Sequence, residues 1–516
     1  MSSNIKNVKI GIISSYGILL LELAAGVLFT PYIIKSLGQS EYGIYSLIGA
    51  LIASIAVLDF GFGNAVTRYV SQYLAEKKKE MIDRFISLSL YIYTALASIV
   101  CLAGTVMYFC FDGIFGNSLS AEELNTAKLL LAVLLFNIFI SFYIGAINAY
   151  IQAFERFPFI NLISFFRIIA RLTIVFVLLS SGYKSVSIVI VDTVLNICTG
   201  LLYFYFSRKH LNLKIKLKYF NKNLLKEVFS YSIFIFVGNL ADMMIWRVGL
   251  LIIGATLGSK EVAVFAVGIT IISYFQYISG VINSKLFPMV TKMVTNGADK
   301  HELTHFAIKI GRLQFYLMGA ILSLYYVYGK DFILLWVGSE YVTSWNISFI
   351  LMFAMIVQTV QYSCVLILRA KKADGIRAFL QLGIFGLGAL GGFFLIQDYG
   401  VVGMAYGLAI AMIILNWIIV NMIYIHVFKF KFRTYVAKVS PVAVIHFFMI
   451  TIGIVLKDFL PAASWFAFLM NVTILLSFYI LSFWLFGLSR KERKKWKIRA
   501  GSLFTGKRKI SAGETL

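Results

Sequence analysis

The 516-residue chain is 60% hydrophobic and only 14% charged, with a mean hydropathy of +0.86, and no single water-soluble core could cover that much apolar surface. The bilayer is the solvent such a composition calls for, which excludes a soluble enzyme as the main body. A net charge of +24 would suit a nucleic-acid partner, but its placement along the chain makes it a topology signal instead, and no nucleic acid is expected.

A spanning helix needs about 20 mostly apolar residues. Fourteen runs qualify: residues 10–34, 43–66, 86–110, 127–150, 158–181, 186–206, 228–256, 262–288, 305–328, 345–368, 378–397, 400–427, 435–456 and 463–487. The first follows Lys6 and Lys9, is too long for a signal-peptide core and lacks a convincing small-residue cleavage site, so it counts as helix 1. Pro31 within helix 1 and Pro288 at the end of helix 8 remove backbone hydrogen bonds and mark bends, static or used in motion. Turns such as Gly182 to Ser185 and Asp398 to Gly400 send the chain straight back through the membrane. The longest polar stretches, Ser207 to Lys226, Lys285 to Leu303 and Ser489 to Leu516, are too short for an independent domain. Cys101, Cys110, Cys198 and Cys364 lie in apolar runs without metal-ligand spacing and read as small core hydrophobes.

Thirty-eight of the 47 Lys and Arg residues fall on the side of the N-terminus. Six lie on the other side (Lys35, Lys128, Lys184, Lys260, Lys330 and Lys457), and Arg167, Arg171 and Arg247 fall inside spans. Basic excess marks cytoplasmic loops, so both termini are expected in the cytoplasm, as an even number of spans requires. The tail that begins Arg490-Lys491-Glu492-Arg493 is expected to rest on anionic headgroups. A specific partner is the alternative.

The segment Leu37-Gly38-Gln39-Ser40-Glu41-Tyr42-Gly43 aligns with Leu257-Gly258-Ser259-Lys260-Glu261-Val262-Ala263, and at the same offset Glu22 meets Asp242. Two six-helix units in the same orientation follow, a parallel pseudo-two-fold repeat of the kind that places a transporter's substrate site between its halves. The expected architecture is an all-α polytopic membrane protein with about fourteen transmembrane helices. Its parts are an N-lobe at 1–210 (helices 1–6), a cytoplasmic linker at 211–227, a C-lobe at 228–430 (helices 7–12), helices 13 and 14 at 431–488, and a basic tail at 489–516.

The twelve-plus-two layout, the Leu37-Gly38 turn and the run Leu58-Asp59-Phe60-Gly61-Phe62-Gly63-Asn64-Ala65-Val66-Thr67-Arg68-Tyr69 resemble the polysaccharide-type lipid flippases, the O-antigen and repeat-unit flippases of the multidrug/oligosaccharidyl-lipid/polysaccharide exporter superfamily. The resemblance covers the whole chain in layout and is specific over residues 10–75. It implies two six-helix lobes around a central cavity, alternating access, and an oligosaccharide on an undecaprenyl diphosphate carrier as cargo. It also implies a bacterial inner membrane and, as further partners, other polysaccharide-assembly proteins. No cofactor is implied, and coupling to protons, sodium or the membrane potential stays open.

Ionisable side chains in the hydrocarbon zone are costly and face a cavity or a partner. Arg167 and Arg171 are four apart on helix 5 and share a face, and Arg247 lies midway along helix 7. An arginine fork binds phosphate bidentately and stays charged, so these three are the candidate diphosphate ligands. The alternative is that they are structural partners of Asp192 and Asp242. Glu22 and Asp242 are candidates for coupling or charge neutralisation, Asp192 for coupling or gating, and Asp59 with Arg68 for a gate or a packing bend. Asn137, Asn148, Asn196, Asn239, Gln358, Gln361, Gln381, Asn416 and Asn421 supply polar groups suited to a sugar, or to interhelical bonds. No catalytic or metal-binding signature is present: His301 and His305 have i, i+4 spacing without a third ligand. A drug or cation antiporter of the same superfamily would favour cavity acids over arginines. A membrane polysaccharide polymerase or ligase would carry large outward loops with arginine or histidine, which this chain lacks.

Overall fold

The computed structural model describes residues 2–215, 222–283, 286–487 and 493, and every regular element among them is helical. Among the described residues fourteen helices are long and apolar enough to cross a membrane, one for each run expected from the sequence. Helix 1 is Ser2–Leu37, unbroken at Pro31. Helix 2 comes in two pieces, 2a (Gln39–Ala56) and 2b (Phe62–Ala75), followed by helices 3 (Lys79–Phe115), 4 (Ala121–Ala153), 5 (Phe157–Ser180) and 6 (Ser185–His210). Helices 7 and 8 are also divided, into 7a (Lys222–Trp246) and 7b (Val248–Thr256), and 8a (Ser259–Asn283) and 8b (Phe287–Thr295). Helix 9 is Lys300–Trp336 and helix 10 splits into 10a (Thr343–Val360) and 10b (Tyr362–Ala370). Helix 11 is Asp374–Tyr399, and Val401–Phe428, Phe432–Phe459 and Trp465–Leu485 are helices 12, 13 and 14. The basic tail and residues 216–221 of the linker lie outside the described residues, Arg493 excepted.

The repeat read from the sequence is present in the elements. Gly38 and Gly258 open helices 2a and 8a with φ of 78° and 89°, a conformation that only glycine adopts without strain. Helices 2 and 8 both break before a short second piece. Helices 3 and 9, at matching places in the two halves, each have 37 residues. At 1.5 Å per residue that is about 55 Å, well beyond a hydrocarbon core of about 30 Å. Their polar first turns (Lys79 and Glu80; Lys300, His301 and Glu302) therefore stand clear of the apolar zone, while Asp83 is buried against the bundle.

Local chemistry sets several boundaries. Ser120 and Glu123 form a reciprocal capping box at the start of helix 4. Before helix 9, Asp299 Oδ1 accepts the N–H groups of His301 and Glu302 at 2.8 and 2.7 Å, while Glu302 Oε2 accepts the Asp299 N–H. Those backbone donors hold the Asp299 carboxyl below its usual range. The break in helix 2 follows from Phe60 and Gly61, both left-handed at φ 55° and 65°. A Cβ at Gly61 would come within 2.3 Å of Ile235, so the bend depends on glycine there.

The described chain forms two compact units. The first holds residues 1–274, 336–351 and 373–418. Within it Gly388 and Gly392 of helix 11 face Gly407 of helix 12, so closely that a Cβ on Gly407 would lie 2.3 Å from the Gly392 nitrogen, and Gly403 lies against the Leu395 carbonyl. Paired small-xxx-small motifs let two backbones touch where no hydrophobic effect drives association. Helices 4 and 6 are joined by side-chain amides instead: Asn196 Nδ2 donates to Asn137 Oδ1 (3.1 Å) and Ser141 (2.7 Å), and Asn137 Nδ2 to Thr193 (2.9 Å).

Of the described residues, the second unit holds 275–283, 286–335, 352–372, 419–487 and 493, and helix 9 is its spine. Helix 13 packs on it through Gly311 under Tyr435 and Gly319 under His446. The Tyr479 hydroxyl donates to the Tyr316 carbonyl, His446 Nε2 lies 3.0 Å from the Phe315 carbonyl, and Lys457 pairs with Asp331 at 2.5 Å. Cys364 alone of the cysteines is buried, while Cys110 and Cys198 are exposed on apolar helices, which corrects the reading of all four as core residues.

Candidate functional site

In the first unit, the connections between helices 1 and 2, 3 and 4, 5 and 6, and 7 and 8 meet at one end. Gly43 of helix 2a crosses Ser259 of helix 8a in backbone contact, and a Cβ there would lie 1.9 Å from the Ser259 carbonyl oxygen. Glu123, already the partner of its own cap, also accepts the hydroxyls of Ser40 and Ser259, which lie 3.2 Å from each other. One carboxylate thus pins the starts of helices 2 and 8, the two ends related by the repeat. Glu41 does the same for helix 6: its Oε1 accepts the Ser185 N–H and hydroxyl at 2.8 and 2.7 Å, with Lys184 Nζ 3.5 Å from Oε2. The Ser118 hydroxyl donates to the Gly254 carbonyl at 2.7 Å, and Trp336 Nε1 to the Val27 carbonyl at 2.7 Å. This end carries Lys35, Lys128, Lys184 and Lys260, the basic-poor side of the sequence. It is closed by small residues and hydrogen bonds rather than by an apolar plug.

Deeper in the same unit Arg171 forms a fork with Asp192, Nε to Oδ1 at 2.6 Å and Nη2 to Oδ2 at 3.1 Å. It also lies beside the Tyr45 hydroxyl of helix 2a. The cluster joins helices 2, 5 and 6 and satisfies both charges with bidentate geometry. Arg167, one turn away, is exposed and lies beside Tyr203 of helix 6. Arg247 is itself the interruption of helix 7, at φ −126° and ψ −42° between 7a and 7b, and it is half-buried. The structure therefore places the two helix 5 arginines against helix 6 and the third at a helical joint.

Asp242 of helix 7a accepts from Gln381 Nε2 at 3.3 Å, Gln381 Oε1 takes Arg377 Nη1 at 2.8 Å, and Arg377 pairs with Asp374 at 2.6 Å. This relay runs along helix 11 from its first turn to the Asp242 carboxylate. Asp59 lies beside the Tyr93 hydroxyl and the Phe62 backbone, just before the Gly61 that opens helix 2b. Arg68 is exposed and sits 5.8 Å from the Tyr69 ring. Asp59 therefore lies just before helix 2b and Arg68 at its middle, and the two are not brought together as a pair. Phe60 stacks on Phe236 with ring centroids 4.2 Å apart, and the Tyr69 hydroxyl donates to Glu227 Oε1 at 2.9 Å, which fastens 2b along 7a. Glu22 is exposed on helix 1. Among the described residues no three His, Cys, Asp or Glu side chains are grouped to hold a metal ion.

Sequence reasoning passed over Glu41, Glu123 and Glu227, which look like ordinary helix-end acids. The signal for the first two was their position just inside helix starts on the basic-poor side, next to serines.

The fold, with its broken helices and repeated six-helix order, defines a polytopic membrane protein of the architecture seen in lipid flippases and multidrug transporters. It is similar to the structure titled "Lipid II flippase MurJ, inward closed conformation" over 92% of this chain and 97% of the other, with a TM-score of 0.67 and 16% identity. An inward-facing MATE multidrug resistance transporter of the MOP superfamily is similar over 83% and 95%, with a TM-score of 0.66 and 14% identity. The family model described as polysaccharide biosynthesis protein matches residues 9–294, and the chain belongs to that family. A relative by sequence is the uncharacterized membrane protein EpsK of Bacillus subtilis (strain 168), 21% identical over 335 residues that make up 63% of this chain and 64% of that protein. The matched stretch spans less than two thirds of that relative's length.

Proposed function

We propose that this protein is a flippase that carries an undecaprenyl-diphosphate-linked oligosaccharide from the cytoplasmic to the outer leaflet of a bacterial inner membrane by alternating access, for surface polysaccharide export. It is a transporter and not an enzyme. The observation that supports this most is the closure of the basic-poor end, where Ser40, Ser259 and Glu123 hold helices 2 and 8 together. Hydrogen bonds between small side chains can be exchanged for water at modest net cost, so this is a contact built to open. With both termini and the basic loops in the cytoplasm, that end faces outward. Membership of a polysaccharide biosynthesis family and likeness to a structure named as a lipid II flippase favour a lipid-linked saccharide over a free drug.

Arg167, Arg171 and Arg247 are the proposed ligands of the diphosphate, with Arg171 exchanging its Asp192 partner for the substrate. Glu22, Asp59, Arg68, Asp192 and Asp242 are the proposed coupling and gating groups, driven by protons, sodium or the membrane potential. Anionic headgroups at the basic tail and other polysaccharide-assembly proteins are the expected partners. The test is a proteoliposome assay with defined undecaprenyl-diphosphate oligosaccharides, with and without ion gradients. Translocation above protein-free vesicles supports the reading. A protein that moves cationic drugs against an ion gradient and no lipid-linked saccharide is instead the antiporter that its MATE-like fold also serves.

A further inference from the structure

At the end of the first unit opposite the Glu123 closure, helices 3, 4 and 6 surround a cavity of about 210 Å³. Its walls include Leu90, Tyr143, Ile147 and Phe204, and its last side is Leu213 and Ile215 from the segment that leaves helix 6. Both tyrosine hydroxyls at the cavity are engaged elsewhere, Tyr143 with Thr94 at 3.1 Å and Tyr150 with the Leu211 carbonyl at 3.2 Å. Their rings are what remains for an occupant. The neighbouring surface of helices 3 and 6 exposes Tyr91, Leu201, Leu202 and Tyr205, so the cavity opens on a face solvated by lipid.

Three exposed cations stand beside this apolar space. The Arg208 guanidinium lies 5.5 Å from the Phe204 ring centroid, Lys209 Nζ is 2.9 Å from the Tyr205 hydroxyl, and Lys214 sits between the two lining residues Leu213 and Ile215. One carboxylate, Asp83, is buried near Tyr150, which leaves the rim positive. We propose that this is a specific site for an anionic glycerophospholipid, with one acyl chain in the cavity and its phosphate among Arg208, Lys209 and Lys214. An apolar slot rimmed by cations matches an amphiphile with a single anionic head. The lining offers no buried polar group to a sugar, which separates this site from the arginines of helices 5 and 7. The occupant lies against Leu213, whose neighbour Leu211 is tied to helix 4, so the lipid holds the start of the chain segment that joins the two halves. The inference stands whatever the transported cargo.

The test uses the full-length protein in phosphatidylcholine vesicles doped with phosphatidylglycerol that carries a diazirine in one acyl chain. After irradiation, adducts are mapped by mass spectrometry. Adducts should concentrate on peptides containing Leu90, Tyr143, Ile147 and Phe204, and unlabelled phosphatidylglycerol should compete where phosphatidylcholine does not. Arg208→Gln and Lys214→Gln should each lower site labelling about fivefold, with an unchanged size-exclusion profile. Filling the cavity by Ala146→Phe, or from the opposite wall by Leu213→Trp, should abolish it while labelling of lipid-facing helix 14 persists. Labelling in proportion to exposed surface on all helices, or indifference to the charge variants, overturns the proposal as ordinary lipid solvation. Displacement by undecaprenyl phosphate at lower concentration than by phosphatidylglycerol overturns it in favour of the carrier lipid.

Discussion

Arg171 shows how one side chain can serve structure and transport in turn. Its fork to Asp192, beside the Tyr45 hydroxyl, satisfies a guanidinium that would otherwise be stranded among apolar helices. Removing one partner leaves the other charge uncompensated at a cost of about 3 kcal/mol. Arg171→Gln and Asp192→Asn alone should therefore each lower the yield of folded, monodisperse protein, and the double neutral variant should recover it. Transport normalised to folded protein then separates the two roles. A double variant that folds but does not flip lipid-linked oligosaccharide identifies Arg171 as a ligand, and one that flips normally leaves it a structural residue. At Arg247 the contrast is between charge and fork: Arg247→Lys keeps the charge and loses the planar donors. Impaired flipping by well-folded Arg247→Lys is expected, and normal specific activity in both Arg247→Lys and Arg247→Gln would remove that residue from the diphosphate site.

Among the helices, the glycine contacts carry the sharpest expectations. A side chain at Gly43 must push the helix 2a backbone off Ser259, and strain of about 2 kcal/mol shifts the closed state roughly thirtyfold toward open. Leu47, fully buried and packed on Gly254, reports that shift. A Leu47→Cys protein should be shielded from a membrane-impermeant maleimide, and adding Gly43→Leu should expose it. Unchanged shielding would show that the crossing does not control access. Gly319 is the counterpart in the second unit: a Cβ there meets the His446 ring at 2.2 Å. Gly319→Leu should loosen helices 13 and 14 from helix 9 and lower the thermal unfolding midpoint in detergent, whereas Gly383→Leu, where an added Cβ meets nothing within 4 Å, should not. Truncation after Lys438 would likewise leave helix 9 without the partners of its Phe315 and Tyr316 carbonyls. The twelve-helix core is therefore expected to lose stability along with any groove that helices 13 and 14 offer a carrier chain.

For the molecule as a whole, orientation follows from the distribution of lysine and arginine. Single cysteines at Lys128 and Lys330 should react with impermeant reagents in intact cells, and cysteines at Lys78 and Lys300 only after permeabilisation. The reverse pattern would invert the transport direction proposed for it. The same orientation places the Glu123 closure outward and the Arg208, Lys209 and Lys214 rim against the anionic inner leaflet, so this one experiment bears on both proposals.

The number and order of the spans were legible in the sequence, though not their ends, because lipid imposes a local rule: each segment in the hydrocarbon must be apolar over its length and satisfy its own backbone. The repeat was legible at Leu37-Gly38 and Leu257-Gly258 because a left-handed glycine leaves its mark in one residue. At Asp59-Phe60-Gly61 the glycines suggested a bend or close packing, but the break in helix 7 was not predicted, since Trp246-Arg247 sits inside a continuous apolar run. Composition could mark Arg171, Asp192 and Asp242 as costly, but could not say that Asp192 would receive the Arg171 fork or that Gln381 would reach Asp242. Only the tertiary structure brought Ser40 and Ser259 to one carboxylate. Contacts between helices are chosen by geometry between residues far apart in the chain, and hydropathy, which governs the insertion of each helix by itself, carries no record of which faces will meet.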